Sequence, residues 1–165
     1  MNNKVFFVIG SNCFSGAHFV NYALNSGNQV WGISRSKEPN NIFIPYKWGY
    51  KKEINTDNSR NNNYNFTKLD INSDLTKIID LIDQVKPTHV INFAAQGMVA
   101  ESWKSPVDWY RTNVVSQVAL HDQLRKKEFL EKYIHITTPE VYGNTINDWT
   151  KENFSFSPST PYAVS

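Results

Sequence analysis

The segment KVFFVIGSNCFSGAHFVNYALNSG, Lys4 to Gly27, constrains the fold of this chain more than any other. Its apolar run Val5 to Ile9 is short, β-branched and aromatic, and stops on Gly10. That pattern reads as a buried strand. Phe19, Val20, Ala23 and Leu24 then fall on one helical face, and Gly27 stands where a C-cap glycine belongs. QVWGIS, Gln29 to Ser34, follows as a second strand. Strand, glycine turn, helix and strand in so few residues have the size of a βαβ unit.

The same alternation continues. YNFTKLDI, Tyr64 to Ile71, alternates like a strand. SDLTKIIDLIDQVK reads as a helix capped by Ser73 or Asn72, with Leu75, Ile78, Ile79, Ile82 and Val85 at helical spacing. THVINFAA, Thr88 to Ala95, is almost continuously apolar, as a strand covered on both faces must be. A long helix is expected from Pro106, a good first-turn residue, to about Lys127, with Tyr110, Val114, Val118, His121 and Leu124 on one side. KYIHITT supplies a last strand, and RKKEFLEK before it reads as a charged helix end. Strict β/α alternation argues an α/β fold, a doubly wound parallel sheet with helices on both faces. Between Lys37 and Asn63 the pattern breaks. Pro39, Pro45 and many asparagines suggest an irregular excursion, and NSRNNNYN, Asn58 to Asn65, reads as a solvated loop. There is no repeat and no linker, so residues 1–165 read as one domain.

Composition narrows the partners. Charged residues are 19% of the chain and the net charge is +2, which gives no reason to expect nucleic acid or a membrane surface. Cys13 is the single cysteine, so no internal disulfide can form. The first apolar run is too short for a signal peptide, and no run approaches the ~20 residues that span a bilayer. A cytoplasmic protein is the default expectation. His18, His89, His121 and His135 show no metal-ligand spacing, so no metal is expected. Trp103 and Trp109 are expected to pack.

The chemistry begins at GSNCFSG, Gly10 to Gly16. A glycine turn at a strand's C-terminal end opens a helix whose N-terminus can hold a pyrophosphate. The spacing resembles the GxxGxxG loop of the extended short-chain dehydrogenase/reductase family, with Cys13 in place of the middle glycine. A side chain there limits the approach of the backbone to phosphate, so a slightly shifted cofactor is expected. Further segments resemble the same family in the same order. LDI, Leu69 to Ile71, resembles its Asp-Ile pair beside the adenine. NFAAQ, Asn92 to Gln96, resembles NLAAQ, and TNVVSQVAL, Thr112 to Leu120, resembles TNVxGTxxLL. HITTPEVYG, His135 to Gly143, resembles HxSTDEVYG, and PYAVS, Pro161 to Ser165, resembles the start of PYxxSK. Within the family the nucleotide-sugar 4,6-dehydratases are most similar, and WGISRS leans towards the GDP-mannose side.

The resemblance implies a Rossmann sheet of strand order 3-2-1-4-5, incomplete at its C-terminus because the substrate-binding part would follow. It implies a cofactor site made by Gly10, Asn12, Cys13, Phe14 and Gly16 of the loop, Ser34 and Arg35 after the second strand, and Asp70 and Ile71 after the third. Phe93, Ala94, Ala95 and Gln96 would continue it, with Asn113, Thr137 and Tyr162 towards the nicotinamide. At the end of the second strand an NAD site usually has a carboxylate, which would repel a 2′-phosphate. Here Ser34 and Arg35 can instead donate to one. NADP is therefore expected over NAD.

Tyrosine, with an ordinary pKa near 10, serves as a base when positive charge stabilises the phenolate. In the family a lysine four residues later supplies that charge, and the chain ends at Ser165, one residue short of it. The resemblance implies that Tyr162 takes the proton of a sugar 4-hydroxyl held by Thr138 while C4 passes hydride to NADP. Glu140 then removes the acidified C5 hydrogen, water leaves from C6, and hydride returns there. Gln96, Met98, Ser102 and Thr138 match positions that line the sugar site. Met98 replaces a family histidine, and Pro139 replaces an aspartate that acts as general acid in many dTDP-glucose enzymes. Glu140 or water must then serve as acid as well as base. A nucleotide sugar is the expected substrate, and a homodimer through the long helix and the tyrosine-bearing helix is expected of the full-length protein. A 4-epimerase or 4-ketoreductase would use Tyr162 and Thr138 without Glu140. A non-catalytic NADP-binding module is the alternative of another class. The 165 residues alone are expected to be marginally stable, to bind NADP weakly and not to turn over substrate.

Overall fold

Strands β1 (Val5–Ile9), β2 (Gln29–Ser34), β3 (Tyr64–Lys68), β4 (His89–Asn92) and β5 (Lys132–His135) form one sheet. All four pairings are parallel and the order is β3-β2-β1-β4-β5, as the resemblance implies. β1 is central: Ile9 stands beside both Ile33 of β2 and Asn92 of β4. The computed structural model describes residues 4–48, 63–144 and 149–165. Most of the asparagine-rich loop, 58–62, lies outside the described residues.

The period of two along β1 divides the core. Phe7 and Ile9 point to one face, into a cluster with Ile33, Leu69, Ile71, Ile78, Ile82, Val90, Leu120 and Leu124. Val8 points to the other, among Ala17, Val20, Ala23, Leu24, Val30, Ile44 and Tyr46. α2 (Leu75–Val85) covers the first face and α1 (Phe14–Asn25) the second. Burying one isoleucine of this kind contributes about 1.5–3 kcal/mol. α1 stops at Ser26, and Gly27 takes φ +78°, as a C-cap glycine should. The cap of α2 differs from expectation. Asp74 occupies the position, and its carboxylate accepts from Asp70 N–H (3.0 Å) and Lys77 Nζ (2.8 Å).

Within the described residues 37–48, the excursion after β2 holds two 3-10 turns, Asn41–Phe43 and Pro45–Lys47. They deliver Ile44 and Tyr46 into the α1-side core. A polar chain runs through this region. Tyr64 Oη donates to Tyr46 Oη (3.3 Å), and Tyr46 donates to Glu38 Oε1 (2.6 Å), whose second oxygen accepts from Lys47 (2.6 Å). Burial pushes the Tyr64 phenol up to about 12, against the lowering effect of its hydrogen bonds with Tyr46 and Ser11. Burial, then the Glu38 hydrogen bond, pushes Tyr46 far higher still. Both phenols are protonated at neutral pH.

The long helix begins at Pro106 as expected, but in three parts: α4 (Pro106–Tyr110), a π turn (Arg111–Val115) and α5 (Ser116–Leu124). α3 (Val99–Lys104) precedes it, and α6 (Pro161–Val164) closes the chain. The buried face keeps Leu124 of the expected side and otherwise differs from it. Tyr110 is 40% and Val118 62% exposed, while Trp109, Ser116, Gln117, Leu120 and Leu124 are buried. Hydrogen bonds explain this: Ser116 donates to Asn72 Oδ1 (2.7 Å), and Gln117 donates to Ala94 O (3.0 Å) and accepts from Asn92 (2.5 Å). Satisfied polar groups turn inward and leave apolar ones outside. Trp103 also departs from expectation, being 63% exposed. Among the described residues no helix is long and apolar enough to cross a membrane.

Candidate active site

Chain order reverses between β1 and β4, the point at which doubly wound sheets open a ligand crevice. Two cavities lie at the C-terminal ends of the strands there. The first, about 260 Å³, is lined by the glycine loop, the ends of β2 and β3, and residues 93–96. The second, about 180 Å³, lies between residues 135–138, Asn113 and α6. Ala94 and Ala95 line both.

The glycine loop is built for close approach. Gly10 has φ +83°, and a Cβ there would sit 2.9 Å from Ala94 N. Its own N–H and that of Ser11 donate to Ile33 O, at 2.8 and 3.1 Å. A Cβ on Gly16 would collide with Gly10 O. Cys13 is exposed and caps α1, its Sγ accepting from Gly16 N–H at 3.3 Å. The thiol thus does the work of an N-cap side chain beside the cavity. Asn12 ties the loop to the end of β2. Its N–H donates to Ser34 Oγ (3.0 Å) and its Nδ2 to Ser36 O (3.2 Å). Its Oδ1 is buried without a partner among the described residues. An orphaned acceptor here fits a hydroxyl donor such as a ribose supplies. Arg35 is exposed, its Nη1 3.5 Å from Gln96 Oε1. Asp70 Oδ1 accepts from Asn72 N–H (2.9 Å), which turns the chain after β3.

Around the second cavity, Thr138 caps the 3-10 turn Pro139–Tyr142 by accepting from Glu140 N–H at 3.3 Å. Tyr162 enters from the first turn of α6. Asn113, in the π turn, holds Gln96 by two hydrogen bonds and donates to Ser165 Oγ (3.1 Å). A widened turn of this kind is a recurrent feature of functional helices. Burial, and then His121, hold the His135 imidazole below its ordinary value.

The structure brings Gly10, Asn12, Cys13, Ser34, Arg35, Asp70, Ile71, Phe93 and Gln96 to the first cavity, with Ala94 and Ala95. It brings Asn113, Thr137, Thr138 and Tyr162 to the second. Phe14, Gly16, Met98, Ser102 and Glu140 reach neither wall. Phe14 is 81% and Met98 74% exposed to solvent. Gly16 packs on Gly10. Ser102 is fully buried beneath α6, and Glu140 is half-buried on the turn after Thr138. Sequence reasoning missed Asn72 and Thr112 in the first cavity and Gln117 and His135 in the second. Gln117, a polar residue inside an apolar helix face, carried the one readable signal.

The family model for GDP-mannose 4,6 dehydratase matches residues 7–165. GDP-mannose 4,6-dehydratase from Vibrio cholerae is 28% identical over 99% of this chain and 43% of its own length. dTDP-glucose 4,6-dehydratase from Salmonella typhimurium is 31% identical over 67% of this chain and 35% of its own length. Among solved structures, a UDP-glucose-4-epimerase from Stenotrophomonas maltophila with bound NAD and formylated UDP-arabinopyranose superposes with TM-score 0.80 at 19% identity. That match covers 98% of this chain and 45% of the epimerase, and it shows the fold. The chain thus spans less than half the length of the relatives it matches. Fold, glycine loop and ordered segments agree, and the chain belongs to the GDP-mannose 4,6-dehydratase family.

Proposed function

We propose that this chain is the cofactor-binding part of an NADP-dependent nucleotide-sugar 4,6-dehydratase. The observation that carries the reading is the wall common to both cavities. A dinucleotide laid along the first, past Ala94 and Ala95, ends against Thr138 and Tyr162 in the second. Asn12 Oδ1 and the glycine loop would hold its ribose and phosphates.

When bound, the nicotinamide supplies a hydride acceptor and later a donor. The chain's own residues handle oxygen and protons. Thr138 holds the sugar's 4-hydroxyl and Tyr162 takes its proton. Glu140 removes the C5 hydrogen once the 4-ketone has acidified it. Because Pro139 has no proton to give, Glu140 returns that proton, directly or through water, to the departing C6 hydroxyl. In the full-length protein, Glu140→Gln should abolish dehydration and spare any epimerisation. Dehydration by that variant at the wild-type rate would sink the reading. The second reading, a 4-epimerase or 4-ketoreductase in which Glu140 has no role, is favoured by the position of Glu140, which lines neither cavity. A non-catalytic module would show no turnover of any nucleotide sugar at full length.

NADP is preferred because Arg35 at the first cavity offers a planar fork to a 2′-phosphate. The carboxylate closest in sequence, Glu38, is engaged by Tyr46 and Lys47. Arg35→Ala should weaken NADP binding about tenfold, one charge-assisted bond, and leave NAD within twofold. A wild-type protein that binds NAD more tightly would overturn this preference. The homodimer reading rests on Val107, Tyr110 and Val115, exposed around an apolar hollow on the long helix. The cytoplasmic reading rests on the single Cys13.

A further inference from the structure

Ser102 is fully buried in α3, and the chemistry above gives its hydroxyl no task. Its Oγ donates to Val99 O at 2.6 Å and accepts from Tyr162 N–H at 3.2 Å. The first bond is an ordinary back-bond within a helix. The second crosses from α3 to α6, sixty residues on. It becomes meaningful when the N–H groups opening α6 are accounted for. Thr160 is the N-cap, and its Oγ1 accepts from Ala163 N–H at 3.0 Å. Val164 N–H donates to Thr160 O at 3.0 Å. Pro161 has no N–H. Tyr162 N–H is the group that α6 cannot satisfy from within, and Ser102 supplies its acceptor.

The support under Ser102 is itself fixed. α3 opens at Met98, whose φ of +73° is unusual for a side-chain-bearing residue and persists only where its surroundings hold it. Met98 O accepts from Ser102 N–H at 3.2 Å. At its other end α6 is tied by Asn113 Nδ2 to Ser165 Oγ. The tyrosine-bearing turn is therefore held at both ends by residues outside it.

We propose that Ser102 is a positioning residue for Tyr162. Its hydroxyl caps the turn from a neighbouring helix and so sets the phenol in the second cavity. With its proton on Val99 O and a lone pair on Tyr162 N–H, it has no free donor for a sugar hydroxyl. The inference rests on the proton-transfer role given to Tyr162.

The test compares Ser102→Ala, Ser102→Thr and Tyr162→Phe in the full-length protein, with NADP and with GDP-mannose or dTDP-glucose as substrate. Ser102→Ala should lower kcat at least tenfold while KM and the NADP Kd stay within twofold. Ser102→Thr, which keeps the acceptor, should recover kcat to within threefold of wild type. If the alanine variant does not fold, Ser102→Cys replaces it, with a smaller loss in the same direction. Amide hydrogen exchange supplies a readout that needs no turnover: the Tyr162 amide should exchange at least tenfold faster in Ser102→Ala. Wild-type kcat in Ser102→Ala, or a loss shared equally by kcat, KM and Kd, would overturn the proposal. So would an unchanged Tyr162 amide. Full turnover by Tyr162→Phe, or none by the wild type, would instead defeat the reading on which it rests.

Discussion

Asn113 Oδ1 accepts from Gln96 N–H at 2.7 Å, and Asn113 Nδ2 returns a bond to Gln96 O at 3.0 Å. One side chain thus serves both backbone groups of the residue that follows the common wall. Asn113→Asp keeps the acceptor and loses the donor. It should weaken NADP binding about tenfold and lower stability by about 1–3 kcal/mol, measured by fluorescence titration and urea unfolding. Unchanged binding would show that this pair does not shape the cavity.

Gly10 and Gly27 separate two reasons for glycine. Both have positive φ, but a Cβ at Gly10 meets Ala94 N at 2.9 Å while one at Gly27 meets nothing within 4 Å. Gly27→Ala should cost about 1–2 kcal/mol, the backbone conformation alone. Gly10→Ala should cost clearly more and abolish cofactor binding. Equal thermal shifts in the two variants would mean that the close approach to Ala94 is tolerated.

Ile82 and Val20 lie in clusters on opposite faces of the sheet, each with no exposed surface. Ile82→Ala should cost about 2–5 kcal/mol, and Val20→Ala should be destabilising through the same loss of packing. The double variant should equal their sum within about 0.5 kcal/mol. A larger deviation in urea unfolding would show that the sheet transmits strain between its faces.

His89 is buried, and burial followed by Lys4 holds its imidazole below the ordinary value. Its Nε2 lies 3.3 Å from Lys4 Nζ. The folded protein therefore takes up this proton less readily than the unfolded chain. This contribution to stability is complete above the ordinary value near 6.5 and is lost as pH falls through it. The urea midpoint should drop between pH 7.5 and 5.5, and His89→Gln should flatten that slope. An unchanged slope would assign the acid sensitivity elsewhere.

The sheet was legible because a parallel strand covered on both faces has to be mostly apolar: VFFVI is so throughout, and HVIN is so at Val90 and Ile91. The glycine loop was legible because a turn that meets a neighbouring backbone tolerates little else at Gly10. The buried face of the long helix was not. Its inward residues include Ser116 and Gln117, and their partners, Asn72, Asn92 and Ala94, lie in other elements, out of reach of a helical period. The motif position of Ser102 says nothing of the direction of its hydroxyl, which only the bonds to Val99 O and Tyr162 N–H reveal. The excursion after β2 gave no periodic signal, since Ile44 and Tyr46 are buried by two single turns rather than by a continuous helix.

At Gly32 of β2 a Cβ would meet Tyr64 Oη at 2.6 Å and Ser11 Oγ at 2.7 Å. The phenol and the loop serine meet in the space that a missing methyl leaves. A descendant that gained a methyl at Gly32 would have to displace both side chains in the same step. Positions 11, 32 and 64 are thereby bound into one heritable unit: Gly32 cannot change unless the other two change with it.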